Sequence, residues 1–202
     1  MNDELRYFVG LDLGQARNYT AMAVLERRWH QATPAEFISS GGRGFEGEYR
    51  YRVVGLDRCS LGTSYPDVVQ WVKARLQEYP TENIGAVVVD ATGVGSAVMD
   101  LLKRANLGVR LVGTVITGAH ASPAGAGATT VAGYQTVSRT ELLTGLQVAV
   151  QAKRLTVAMS ECREWEALCR ELVLLRMDGK RAGVQDDLAF ALGLAVWWGL
   201  RR

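Results

Sequence analysis

The stretch RYFVGLDLGQARNYTAMAVLERR spans Arg6–Arg28. Two apolar runs, residues 6–13 and 20–28, flank the turn-like GQARN of residues 14–18, and this order predicts two antiparallel strands. Alternation in the first run sends Phe8, Gly10 and Asp12 to one face and Val9, Leu11 and Leu13 to the other. Asp12 therefore shares a face with apolar groups, where an unpaired carboxylate is costly. A pairing with Arg17 would lower that cost.

A third strand is predicted over residues 50–59, reached through the Gly-rich SSGGRGFEG of residues 39–47. Residues 66–79 predict an amphipathic helix, with Pro66 in its first turn and Val68, Val69, Val72 and Leu76 on one face. IGAVVVD, residues 84–90, is apolar on both faces, as a central parallel strand is. A helix over 95–105 and a strand over 109–116 complete a β-α-β crossover. Residues 117–135 are small, Gly-rich and aperiodic; a loop of that length is either a candidate lid or DNA-contacting flap or a disordered segment. Helices are predicted over 138–152 and 160–172, and a two-stranded ribbon over 174–184 around Asp178-Gly179. Residues 186–200 predict a helix apolar on nearly every side, and hence buried. A meander followed by crossovers gives one mixed α/β sheet with helices on both faces, in one domain over residues 1–202.

Three acidic positions sit where acids are expensive. Asp12 is in the first strand. Asp90 ends the fourth, at the carboxyl edge where α/β sheets place their sites. Asp186 and Asp187 open the buried last helix. Taken singly, Asp90 or one of the paired acids also suits a helix cap, but one cap does not require two acids. Taken together they are a candidate oxygen-donor set for hard divalent cations, since a bare cluster of carboxylates repels itself.

The stretches GLDLGQARNYTAMAVLE, VVVDATGVGSAVMDLL and QDDLAFALGLAVWW resemble, in order, three motifs of the nuclease domain of phage large terminase subunits, which is ribonuclease H-like. VSRTELLTGLQVAVQAKRLTV is similar to the region before the last motif. The resemblance runs from Phe8 to Trp198. It implies a ribonuclease H-like fold and a metal-dependent endonuclease that cuts double-stranded DNA during genome packaging. The matching catalytic and metal-binding positions are Asp12, Asp90, Asp186 and Asp187, holding two Mg²⁺ or Mn²⁺ ions. Asp12 would bridge both ions, and Asp90 and one of the paired acids would hold one each. Asn18 stands where relatives often carry an acid, and Gln185 where many carry a His. The packaging ATPase of full terminases has no counterpart, because no GxxxxGK[ST] occurs. A separate packaging ATPase or other terminase component is thus an expected partner, beside double-stranded DNA.

Composition bounds the alternatives. At 202 residues and 48% hydrophobic, the chain can bury a core and is not a disordered segment. No run is long enough for a membrane span, and the start MNDELRYFVG lacks a basic leader, so a bacterial cytoplasmic location is expected. Cys59, Cys162 and Cys169 show no CxxC spacing and read as reduced thiols. Only four basic residues are Lys; the rest are Arg, the residue suited to bidentate phosphate contact. Arg139, Lys153 and Arg154 flank a helix but read more simply as solvated charge. Gly93 and Gly95 read as a tight turn, since the full GxGxxG is absent. Trp197 and Trp198 read as core. The alternatives in function are a Holliday-junction resolvase, an actin-like ATPase suggested by GLDLGQ, and a non-catalytic DNA-binding or assembly module of prophage origin.

Overall fold

Strand β1 (Arg6–Asp12) lies near the middle of the sheet, and its two faces organise the molecule. The structure, a computed structural model, describes residues 5–14, 18–39, 41, 47–93, 95–118, 130–131, 133–175 and 185–201. β1 pairs antiparallel with β2 (Ala21–Gln31), from Arg6 opposite Arg27 to Asp12 opposite Ala21. β2 pairs antiparallel with β3 (Gly47–Arg58). On its other side β1 runs parallel to β4 (Ile84–Asp90), with Leu11 beside Val89. β4 is parallel to β5 (Leu111–Thr117), which places Thr114 beside Asp90. Two further strands, β6 (Thr130–Val131) and β7 (Tyr134–Ser138), extend that edge. A last strand, β8 (Leu155–Val157), runs parallel to β3 at the opposite edge. The order is β6-β7-β5-β4-β1-β2-β3-β8.

The alternation read from β1 holds. Phe8 joins a core with Ala23, Leu25, Ala86 and Val88, covered by α4 (Arg139–Gln151), α5 (Trp165–Leu174) and α6 (Asp187–Leu200). Val9 and Leu11 join a second core with Val87 and Val89, covered by α2 (Tyr65–Leu76) and α3 (Gly95–Arg104). The predicted helix faces hold too: Val68, Val69, Val72 and Leu76 are buried. Ser64 caps α2 by accepting the Asp67 N–H. The terminal helix is buried along nearly its whole length, and Trp197 and Trp198 are core residues. The mixed α/β sheet with helices on both faces is therefore the observed architecture.

The sequence reading fails at short elements. β8 and the six-residue α1 (Pro34–Ser39) were not expected. β6 and β7 occupy the end of the predicted 117–135 loop, whose residues 119–129, with His120, lie outside the described residues. Strands of two to five residues carry too little alternation to read; pairing with a neighbour makes them strands. The helix predicted over 160–172 begins at Trp165 instead, because turns at Glu161 and Trp165 bond back to Ala158 and Cys162. It also runs on to Leu174, against the predicted ribbon, whose residues 176–184 lie outside the described ones.

Candidate active site

β1 and β4 end side by side, so Asp12 and Asp90 stand at the carboxyl ends of two adjacent parallel strands. Their side chains follow Phe8 and Gly10, and Ala86 and Val88, onto the face that α6 covers. α6 runs antiparallel to β1 across that face. A Cβ on Gly199 would meet Phe8 at 3.1 Å, and a Cβ on Gly10 would lie 1.8 Å from the Ala191 carbonyl oxygen and 2.9 Å from Ala195 N. From Gly10 to Asp12 is two strand residues, about 6.7 Å. From Ala191 back to Asp187 is four helical residues, about 6 Å. Asp187 is thus level with Asp12. Glycine at position 10 permits the close approach, since any side chain there would hold the helix off the strand.

Asp186 and Asp187 are 4% and 3% exposed. Asp186 occupies the cap position of α6, but its side chain makes no capping bond. Its Oδ2 instead lies 3.2 Å from Nη2 of Arg139, the first residue of α4. Arg139 is therefore turned inward, not a solvated surface charge. Arg154 reaches the Tyr49 carbonyl and Glu48. Asp90 Oδ1 accepts the Thr92 N–H at 2.8 Å, which turns the chain out of β4. Burial raises the Asp90 carboxyl above its ordinary range, and the Thr92 hydrogen bond opposes that rise. Gly95 packs against the Asp90 carbonyl, where a Cβ would lie at 2.4 Å, which bears out the tight-turn reading of this segment. Asn18 is exposed, and Arg17 lies outside the described residues.

Three residues were missed in the sequence. Glu171 of α5 is 3% exposed and accepts the Ala189 N–H, in the first turn of α6, through Oε2 at 2.9 Å. Its Oε1 pairs with Arg58 Nη2 at the end of β3. Burial pushes the Glu171 carboxyl up to about 7; Ala189 and Arg58 pull it down, and the charges of Asp187 and Asp186 push it up. Thr114, fully buried beside Asp90, has an Oγ1 with no hydrogen-bond partner among the described residues. An acid at a core position of an amphipathic helix was the one available signal, in Glu171. Arg58 and Thr114 carried none.

The donor set, carboxylates with the neutral oxygens of Thr114 and Gln185, is of the hard kind that Mg²⁺ and Mn²⁺ take. Among the described residues, no three His, Cys, Asp or Glu side chains come close enough together to hold one ion. The fold brings Asp12, Asp90 and Asp187 to one edge and face without drawing them into a closed cluster.

No protein-family model matches the chain, and no curated protein matches it in sequence. Solved structures do match in fold. The large terminase nuclease of the thermophilic phage G20c is 18% identical with a TM-score of 0.58, covering 95% of this chain and 81% of that one. The nuclease domain of the large terminase subunit of bacterial virus Sf6 is 12% identical with a TM-score of 0.60, covering 95% and 87%. A manganese-soaked human cytomegalovirus terminase nuclease domain is 13% identical with a TM-score of 0.56, covering 98% and 86%. Against the large terminase of another thermophilic bacteriophage, the chain spans only 41% of that chain's length. The chain therefore has the ribonuclease H-like fold of terminase large-subunit nuclease domains.

Proposed function

We propose that this chain is a divalent-metal-dependent endonuclease that hydrolyses phosphodiester bonds of double-stranded DNA in genome packaging. The observation that carries this reading is the meeting of Asp12 and Asp90, at neighbouring strand ends, with the acidic start of α6 on the same face. Asp12, Asp90 and one of Asp186 or Asp187 would hold two Mg²⁺ or Mn²⁺ ions. When bound, such ions activate a water and stabilise the leaving oxygen of a phosphodiester. The chain's own part is to fix the carboxylates. The Thr92 N–H orients Asp90, and Glu171 grips the first turn of α6 while Arg58 holds Glu171. The likeness to terminase nuclease domains supports the DNA substrate and work alongside a packaging ATPase.

Cleavage of supercoiled plasmid with Mn²⁺, Mg²⁺ or EDTA tests the reading, beside an Asp12→Asn, Asp187→Asn double variant. Nicking or linearisation that requires metal and vanishes in the variant is expected. Cleavage that persists in EDTA, or in the folded double variant, refutes it.

A further inference from the structure

We infer that the two adjacent acids at the start of α6 have separate tasks. Asp187 is the carboxylate presented to the strand ends and the metal. Asp186 is the counter-ion through which Arg139 fixes the start of α6. This rests on the metal-dependent reading of the acid edge proposed above.

The helical repeat separates the pair. Residues four apart on a helix share a face, whereas neighbours lie about 100° apart. The stripe 187-191-195-199 faces the sheet: Ala191 and Ala195 lie against Gly10, and Gly199 against Phe8, Leu25 and Tyr51. The stripe containing 190, 193 and 197 faces α4. Phe190 lies under the Arg139 guanidinium at 4.4 Å, Gly193 lies against Leu142, and Trp197 Nε1 donates to Glu141 Oε1 at 2.8 Å. Asp186 belongs to this second stripe, and its contact with Arg139 continues the α4 interface by one more turn. Asp187 opens the first stripe, whose line leads to Asp12.

Charge points the same way. A carboxylate engaged by a guanidinium is a poorer cation ligand, because the cation would displace or repel the arginine. The Arg139 side chain is only 15% exposed and that of Asp186 only 6%, so the pair is built into the packing of α4 on α6. Arg139 thus braces the start of α6 against α4 through Asp186.

Calorimetric titration of Mn²⁺ into the intact chain tests this, with thermal unfolding recorded in the absence of metal. The variants are Asp187→Asn, Asp186→Asn, Arg139→Gln, and Arg139→Gln with Asp186→Asn. Asp187→Asn is expected to weaken Mn²⁺ binding at least tenfold. The double variant is expected to bind with wild-type stoichiometry and within threefold of wild-type affinity. Either single change at the pair is expected to lower the midpoint, and the double change to lower it by less than the two losses added. Should Asp186→Asn fail to fold, the double variant, with no charge left unpaired, still decides. Tenfold weaker binding in the double variant, wild-type binding in Asp187→Asn, or strictly additive midpoint losses overturns the inference. A wild-type chain that takes up no Mn²⁺ overturns the proposed function itself and the division of tasks with it.

Discussion

Replacing Gly10 with alanine tests the geometry on which the site depends. The new Cβ would lie 1.8 Å from the Ala191 carbonyl oxygen, 2.8 Å from its carbon and 2.9 Å from Ala195 N. All three are backbone atoms, so no side-chain rotation relieves the contact. A carbon and a carbonyl oxygen approach to about 3.3 Å, so α6 must move off β1 by about 1.5 Å. Overpacking of this kind costs about 1–3 kcal/mol and rises where backbone must shift. At the upper end, about 3 kcal/mol, the thermal midpoint of a domain this size falls by about 6–12 °C. The displaced helix carries Asp187 away from Asp12. A misplacement of about 1 Å in a catalytic group costs about 100-fold in rate, so activity in the folded fraction falls by about that factor. The matched control is Gly145→Ala, inside α4, where a Cβ meets nothing within 4 Å. That change stabilises by about 0.5–1 kcal/mol, because alanine is the better helix former. Differential scanning calorimetry and metal-dependent plasmid cleavage on both variants give the readout. A Gly10→Ala midpoint within 2 °C of wild type would refute the packing of α6 on β1.

Glu171→Leu leaves Arg58 with Glu164, 3.8 Å away, and removes the acceptor of the Ala189 N–H, so chemical denaturation is expected to show a loss of about 1–3 kcal/mol; no measurable loss counts against the brace. Glu36 accepts from the Thr33 N–H and hydroxyl, and His30 and Arg50 lie against it, which together hold its carboxyl down at about 2. A depressed acid adds stability above its ordinary range and loses it as pH falls, here between about 4.5 and about 2. A carboxyl-carbon NMR titration of Glu36 with a midpoint above 4 would contradict those contacts. Cys162 is buried, and burial pushes its thiol up to about 11. Alkylation at pH 8 is therefore expected to spare Cys162 in the native chain and to reach it after urea unfolding; rapid native labelling there argues against its place in the core.

What the sequence determined alone is what depends on local period. Alternation along residues 6–13 and 84–90 assigned each side chain to a face, because a strand has only two. The apolar continuity of 188–200 marked a buried helix, because no exposed helix is apolar all round. Acids set in such segments stood out against that pattern, which is why Asp12, Asp90 and the Asp186-Asp187 pair were legible before any fold was known. The short strands β6, β7 and β8 were not, since pairing partners, not their own residues, make them strands. Nor were Arg58 and Thr114, which look ordinary in the chain, while Glu171 showed only as an acid at a core position of a helix. Their place beside the acids follows from which strand ends fall together and from where α5 lands on α6. The division inferred between Asp186 and Asp187 rests on geometry of the same kind. Two neighbouring aspartates are indistinguishable in one dimension. Only the rotation of α6, set by Gly10 beneath it and Arg139 beside it, gives one to the strands and the other to α4.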